Sequence, residues 1–297
     1  MSLNLKIALV TDSTSYLTRD EIEQYNINVL PIPVIIDDKE YLEHVDFNSQ
    51  QLYELEQAGA GFPQTSQPSI GELLSLFEQI KADGYDAIIA ITLAGTISGF
   101  NQTLVNLANA NPELHLYPFD SQITVRLMGY QVIAAAKMIA AGLNPAQIIS
   151  NLSELRQQTD EIFVVDDLNN LVRGGRLSNA SALVGSMLQI KPLLTFDAES
   201  HRIVSFDKVR SMKKAIAKSE KLMAKKIETN VSDLEKLRII IYHANERETA
   251  IKIQAELTAK YPQTPNEIDE FGPVIATHLG EKAIGITWMP DVLQITY

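Results

Sequence analysis

The alternation of short apolar runs with helix-forming segments is the feature that most constrains the fold of this chain. Ile7–Thr11, Val29–Ile36 and Asp86–Thr92 are apolar runs of strand length, and two prolines in the second run favour a strand at a sheet edge. Helices are predicted between such runs; Ser69 and Glu72, for example, have the spacing of a capping box. Strands that alternate with helices predict a parallel α/β sheet, whose ligands bind in the loops that follow the strands.

The pattern changes in the second half of the chain, which has 297 residues in all. Leu193–Asp197 and Arg202–Val209 predict a hairpin, and the strands predicted after it are mixed with helices. We therefore predict a two-domain α/β fold, with a parallel α/β domain over residues 1–160 and an α+β domain over residues 161–297.

Composition and local spacing narrow the classes of function. The chain has 25 Lys and Arg against 37 Asp and Glu, a net charge of −12, which argues against a general nucleic-acid-binding protein. It has no cysteine and no histidine pair at metal-ligand spacing, and it lacks both a Walker A lysine and a G-x-G-x-x-G motif, so we predict no metal or other cofactor. No apolar run has the length of a membrane span and no export signal is evident, so we expect a cytoplasmic protein without an integral membrane segment.

Two loops of the first half could bind a ligand through hydroxyl groups. Thr65 lies just before the helix that Ser69 is predicted to cap, so its own hydroxyl is free of capping. Ser98 and Gly99 follow the most apolar predicted strand and begin the next helix, where free N–H groups and the helix dipole favour an anion. A serine at this position can also be a helix cap or a nucleophile, although the G-x-S-x-G spacing of a nucleophile elbow is absent.

A histidine and a basic turn of the second half are further candidates. His278 lies in a segment bracketed by Gly272 and Gly280, which we interpret as a loop, and it is either a structural hydrogen-bonding residue or a donor to an anion. Residues 173–176 have the sequence Arg-Gly-Gly-Arg, so two guanidinium groups could bind a phosphate or carboxylate, unless the segment is an ordinary solvated turn. Arg210 could join this basic face if the predicted hairpin folds toward it.

Several short motifs occur in one order along the chain, and together they resemble the DegV family of bacterial fatty-acid-binding proteins. The resemblance covers essentially the whole sequence. The motifs are Val10-Thr11-Asp12-Ser13, Thr65-Ser66-Gln67-Pro68, Ser98-Gly99, Asp120-Ser121, Leu171-Val172-Arg173-Gly174-Gly175-Arg176-Leu177, Lys191-Pro192-Leu193-Leu194, Gly272-Pro273-Val274 and Thr277-His278-Leu279-Gly280.

The resemblance implies a two-domain α/β fold that holds a single long-chain fatty acid inside, with no catalysis by this chain alone. It implies that the chain is the carrier subunit of fatty acid kinase, whose separate ATP-dependent subunit phosphorylates the bound carboxylate. By position in the family's motifs, Thr65, Ser98 with Gly99, and His278 would hold that carboxylate.

The same resemblance implies a role for the arginines. Arg173 and Arg176, together with Arg210, would face the kinase or the acyl phosphate. A lipid ligand is also compatible with transient contact with a membrane surface. No nucleic-acid partner is implied.

Two other hypotheses stay open at the level of sequence. A serine-dependent esterase would use Ser98 as the nucleophile and His278 as the base. An enzyme acting on a phosphorylated small molecule would be centred on residues 173–176. A model ester assay and the identity of a co-purifying ligand distinguish these hypotheses from the carrier.

Overall fold

The computed structural model describes residues 5–178, 190–231 and 233–297. In this part of the chain, helices mostly separate the strands of the first half, and strands and helices are mixed in the second. The strands are β1 (Ile7–Asp12), β2 (Ile27–Leu30), β3 (Pro33–Ile36), β4 (Lys39–Leu42), β5 (Gln64–Thr65), β6 (Ala87–Thr92), β7 (Leu116–Asp120), β8 (Asp160–Val164), β9 (Lys191–Phe196), β10 (Ile203–Val209), β11 (Leu237–His243), β12 (Asn266–Glu270) and β13 (Ile284–Pro290). The helices are α1 (Arg19–Tyr25), α2 (Ser49–Gln57), α3 (Ile70–Ala82), α4 (Phe100–Ala110), α5 (Val125–Ala140), α6 (Pro145–Gln157), α7 (Asn169–Arg173), α8 (Met212–Asn230), α9 (Arg247–Lys260) and α10 (Pro273–Leu279).

The first sheet has four parallel strands in the order β2-β1-β6-β7. Every residue of β1 and β6 is buried, as parallel strands covered on both faces require. Ser69 caps α3 in a capping box with Glu72, as its spacing predicts. The parallel α/β arrangement predicted from the alternation is confirmed, and the strands place the loops after β1, β6 and β7 at one edge.

The second sheet has six strands in the order β10-β9-β8-β13-β11-β12. Strands β9 and β10 form the antiparallel hairpin that the sequence predicts. Because side chains alternate between the faces of a strand, Ile162 and Val164 join a core with α8 and α9, whereas Phe163 points to the opposite face. That opposite face packs against the core of the first half, so the space between the two sheets is lined by both.

The prediction of one strand over Val29–Ile36 is wrong. The chain leaves the parallel sheet after β2 and starts β3 at Pro33, in a separate three-stranded sheet of order β4-β3-β5. A proline has no N–H for a sheet ladder, which accounts for a break at the two prolines of this run. The small sheet matters for the site, because its strand β5 carries Thr65.

The interpretation of the segment around His278 as a loop is also wrong. Residues 273–279 form helix α10, with Pro273 in its first turn and His278 in its last. Proline suits a first helical turn because the N–H that it lacks would have no helical partner there. None of the helices in the described ranges is long and apolar enough to cross a membrane. The division into domains at residue 160 stays a prediction.

Candidate ligand-binding site

A cavity of about 1060 Å³, its mouth included, lies between the two large sheets. One wall comes from the loops after β6 and β7 and from the start of α5; the other comes from the inner face of the six-stranded sheet and from α10. The apolar part of the lining includes Leu93, Ile97, Leu127, Phe163, Phe196, Val274 and Leu279.

A polar group formed by Thr65 and His278 lies in the cavity wall. Thr65 Oγ1 is 2.8 Å from His278 Nε2, although 213 positions separate the two residues in the chain. Strand β5 presents the threonine and the last turn of α10 presents the histidine. The structure therefore brings together two of the predicted carboxylate-binding residues.

The surroundings of the imidazole indicate which way this hydrogen bond runs. His278 Nδ1 is buried and has no hydrogen-bond partner among the described residues. An unpaired acceptor is tolerated in a protein interior better than an unpaired N–H, so Nδ1 carries no proton and Nε2–H donates to Thr65 Oγ1. Burial, helped by the charge of Arg176, lowers the pKa of His278 to about 3, so the ring is neutral. The Thr65 hydroxyl proton is then free to be donated to a ligand.

Ser98 and Gly99 line the same cavity at the start of α4. Gly99 is the N-cap residue, and Ser98 Oγ accepts a hydrogen bond of 3.2 Å from Phe100 N. Because this oxygen acts as the acceptor, its own hydroxyl proton remains available. The first N–H groups of a helix have no partner within it, so donors from the backbone collect at this end of the cavity.

The two arginines of the basic turn differ in environment, since one lines the cavity and the other lies at the surface. Arg176 is half-buried and lines the cavity; its Nε donates to Ile97 O at 3.0 Å, and its Nη1 donates to Gly174 O. Arg173 is exposed, with its guanidinium group 5.4 Å from the centre of the Phe62 ring. Arg210, directly after β10, is also exposed. The three arginines thus do not form one outward face, because Arg176 stands beside the predicted carboxylate-binding residues.

Gly174 explains how the turn reaches the histidine. A Cβ atom built on this glycine would lie 2.5 Å from His278 Nδ1, closer than any side chain allows. The absence of a side chain lets the end of α7 pack directly on the imidazole. The glycine thereby fixes the ring and helps to exclude water from Nδ1.

A buried carboxyl group supports the loops at this edge of the parallel sheet. Asp12 Oδ1 accepts hydrogen bonds from the N–H and hydroxyl of Thr14, and its Oδ2 accepts one of 2.9 Å from Leu93 N. Thr124, which lines the cavity, donates to Thr14 Oγ1 at 3.0 Å. Burial raises the pKa of Asp12 to about 6. This network ties the loops after β1, β6 and β7 together and so holds one wall of the cavity in place.

The geometry does not support a serine hydrolase. His278 Nε2 is bonded to Thr65 rather than to Ser98, and no carboxylate among the described residues orients the ring through Nδ1. A histidine with a pKa of about 3 is also a poor base at neutral pH. Among the described residues, no three His, Asp or Glu side chains are grouped so that they could hold a metal ion.

The fold and the site define a class: α/β proteins with a parallel sheet, a mixed sheet, and between them a largely apolar cavity that carries hydroxyl donors in its wall. The chain belongs to the DegV family, since the family described as "Uncharacterised protein, DegV family" matches residues 6–291. It is 41% identical over 286 residues to a DegV domain-containing protein of Listeria monocytogenes, a match that covers 96% of this chain and 99% of the relative.

Solved structures show the same fold. DegV of Bacillus subtilis, described as a fatty acid binding protein, superposes with a TM-score of 0.86 at 39% identity, covering 96% of this chain and 99% of that one. A fatty acid binding DegV family protein of Streptococcus agalactiae superposes with a TM-score of 0.88 at 35% identity, with the same coverage. The resemblance stated from the motifs, and the α/β fold that it implies, are confirmed.

The sequence does not predict that two charged residues, Arg176 and Glu161, lie in the cavity wall. The sequence predicts that Arg176 faces a kinase or an acyl phosphate, and it predicts no role for Glu161. For Glu161, the alternation of side chains along β8 is informative. Glu161 lies two residues before Phe163, so the two side chains point to the same face of the sheet, which lines the cavity. For Arg176, nothing in the local sequence tells the inward arginine from the outward one.

Proposed function

We propose that this chain binds one long-chain fatty acid in the cavity and presents its carboxyl group to a separate ATP-dependent kinase, which phosphorylates it to the acyl phosphate. The observation that carries this proposal is the arrangement of the cavity: Thr65, Ser98, Gly99 and His278 all line it, and apolar side chains form most of the remainder. The fatty acid binding ascribed to two structural relatives supports the same ligand class.

The carboxylate would be held by the hydroxyl groups of Thr65 and Ser98 and by the N–H groups at the start of α4. A carboxylate in an apolar environment must be hydrogen-bonded, or else it takes up a proton or stays in water. Neutral His278 contributes indirectly, because its bond to Thr65 Oγ1 turns the threonine proton toward the ligand. Arg176, whose charge reaches His278, adds a positive potential at this end.

The acyl chain supplies the affinity. Burial of about fourteen methylene groups at ~0.8 kcal/mol each gives about 11 kcal/mol before costs. Ordering the chain and losing its translational freedom cancel a large part of this free energy. The remainder is enough for useful binding without any covalent bond, as a carrier requires.

The kinase would approach the exposed arginines. Arg173 is exposed and shares a turn with cavity-lining Arg176, so a partner bound there would reach the carboxyl end of the ligand. Arg210 is exposed as well and would extend the contact. An ATP-dependent partner implies that the chain works in the cytoplasm. A membrane surface would serve as a transient source of the fatty acid.

The ligand class is tested by titrating ligand-free protein with octadecanoic acid and with octadecanol. The two ligands share the tail and differ in the head, so the proposal predicts clearly tighter binding of the acid. Equal affinities, or no binding of either ligand, would refute it. A model ester assay runs beside the titration, and turnover that Ser98→Ala abolishes would favour the esterase instead.

The role of the arginines is tested by Arg173→Ala in the presence of the kinase. Octadecanoic acid should bind with nearly unchanged affinity, whereas the rate of phosphorylation should fall. Arg19→Ala, at an exposed arginine at the start of α1, is the matched control and should change neither quantity. Loss of fatty acid binding with normal phosphorylation of the bound fraction would mean that Arg173 belongs to the ligand site.

A further inference from the structure

We propose that Glu161 forms a polar subsite in the cavity, which binds a hydroxyl or other oxygen function on the distal part of an acyl chain. This inference rests on the proposed function and deepens it, since it names a class of substituted fatty acids as ligands. It begins from an anomaly: an acidic side chain, 7% exposed, lies in the wall of an otherwise largely apolar cavity.

Two neighbouring strands place Glu161 away from the carboxylate-binding end. On β8, Phe163 lies opposite Gly285 and Glu161 lies opposite Thr287 of β13. Strand β13 follows α10, so moving from Gly285 to Thr287 leads away from His278 along the chain. One step of two residues on a strand is about 6.6 Å, which is several methylene groups of an extended acyl chain.

Only one of the two carboxyl oxygens of Glu161 accepts hydrogen bonds from the described residues. Oε1 accepts hydrogen bonds from Phe196 N at 2.7 Å and from Thr195 Oγ1 at 2.8 Å, both on the neighbouring strand β9. Oε2 has no hydrogen-bond partner among the described residues. The hydroxyl of Thr287, across the ladder, donates to Ile240 O at 3.2 Å and so does not serve Oε2.

The unpaired oxygen carries a proton at neutral pH. Burial raises the pKa of Glu161 to about 8; the bonds from Phe196 and Thr195 and the charge of Lys226 oppose the rise, and the charge of Asp160 adds to it. With Oε1 committed to two donors, the proton resides on Oε2. The cavity wall therefore presents an O–H group that can donate to a ligand oxygen and can accept from a ligand hydroxyl.

An unsubstituted acyl chain cannot satisfy this group. When its methylenes displace water from the cavity, Oε2–H loses every partner, and an unsatisfied buried polar group weakens binding. A chain with a hydroxyl group at the matching carbon restores the hydrogen bond. Sites that bind a ligand hydroxyl discriminate strongly against the analogue that lacks it, so this subsite selects for oxygenated chains.

The test compares octadecanoic acid with a set of its monohydroxy derivatives in which the hydroxyl group occupies successive carbons of the distal half. Affinities are measured by calorimetry at neutral pH for the wild type, Glu161→Gln and Glu161→Met. In the wild type, one positional isomer should bind about tenfold more tightly than octadecanoic acid. Glu161→Gln keeps a donor at this point and should keep the preference, whereas Glu161→Met should abolish it.

The two variants also separate misfolding from loss of the subsite. Glu161→Met makes the wall apolar, so it should bind octadecanoic acid at least as tightly as the wild type, which a misfolded protein cannot do. If no isomer is preferred by the wild type, or if the preference survives in Glu161→Met, the subsite is refuted while octadecanoic acid binding still stands. If the wild type binds neither octadecanoic acid nor its derivatives, the proposed function itself fails.

Discussion

The hydroxyl of Thr65 is the group on which the proposed carboxylate-binding end of the cavity depends most directly. It accepts from a neutral imidazole at 2.8 Å, so its own proton points elsewhere, and the cavity lies beside it. Ser98 is in the same situation, since its oxygen accepts from Phe100 N. In both residues the hydroxyl oxygen accepts a hydrogen bond from the protein, so the hydroxyl proton is available to bind a ligand.

Removing either hydroxyl should therefore weaken fatty acid binding. Thr65→Val and Ser98→Ala are each expected to cost roughly 1–3 kcal/mol of binding free energy, the loss of a hydrogen bond to a charged group. Calorimetric titration with octadecanoic acid measures the change. Thr65→Ser keeps the hydroxyl and should bind nearly as the wild type does, and Ser153→Ala, whose hydroxyl bonds within α6, should have no effect. Unchanged affinity in both Thr65→Val and Ser98→Ala would remove these residues from the site.

At the scale of elements, α5 packs closely on the short turn at Ser13–Ser15 that follows β1. A Cβ atom built on Gly129 of α5 would lie 2.2 Å from the backbone oxygen of Ser15, which cannot move away as a flexible side chain would. This contact fixes the position of the start of α5. Because residues 123–125 line the cavity, the same contact fixes part of its wall.

Gly129→Ala should therefore destabilise the protein, by about 1–3 kcal/mol, as overpacking of a tight contact does. Gly71→Ala is the matched control: this glycine also lies in a helix, and a Cβ atom there would meet nothing within 4 Å. The control should stabilise by about 0.5–1 kcal/mol, because alanine favours helix. Urea unfolding of the two variants measures both. A Gly129→Ala variant as stable as the wild type would show that the contact can relax.

Some elements of the fold can be predicted from the local sequence, and others cannot. The strands β1 and β6 and the helix capped by Ser69 follow from local patterns, since apolar runs and capping spacings act over a few residues. The change of sheet between β2 and β3 does not follow, because a strand ending depends on partners elsewhere in the chain. The glycines that bracket His278 predict a loop, whereas Pro273 starts a helix there.

At the scale of the whole molecule, two buried acids make stability depend on pH. Burial raises the pKa of Glu43 and of Glu161 to about 8 each. An acid whose pKa is higher in the folded state binds its proton more tightly when folded, so the fold loses stability as the pH rises toward the folded pKa. The ordinary pKa of Glu lies near 4.3, so the loss runs from there up to about 8.

We therefore expect the free energy of unfolding to decrease between pH 7.5 and 8.5, because His278 is neutral there in the folded state, with a pKa of about 3, and an unfolded histidine is almost fully neutral well above its ordinary pKa of about 6.5. Each acid contributes a slope of up to about 1.4 kcal/mol per pH unit. Glu43→Gln and Glu161→Gln should each reduce the slope, and Glu72→Gln, at an exposed acid, should leave it unchanged. Denaturant unfolding across this range gives the slopes. A flat profile in the wild type would mean that the two carboxyl groups are not held neutral.

The cavity itself could be predicted only in part. The motifs shared with the DegV family predict Thr65, Ser98 and His278 as site residues, and the structure brings all three to one cavity. The inward position of Arg176 and the placement of Glu161 in the wall arise from the packing of the second sheet on the first, which no local pattern encodes. Apolar side chains that line a cavity have the same periodicity as those that fill a core.

The most direct test of the account is the identity of what the protein carries. The purified chain is extracted with organic solvent, and both the extract and the intact complex are weighed by mass spectrometry. We predict one long-chain fatty acid per chain, bound non-covalently, and its loss from the Thr65→Val, Ser98→Ala double variant. A sugar phosphate in its place, or a lipid retained equally by the double variant, would contradict a cavity that binds a fatty acid by its carboxylate.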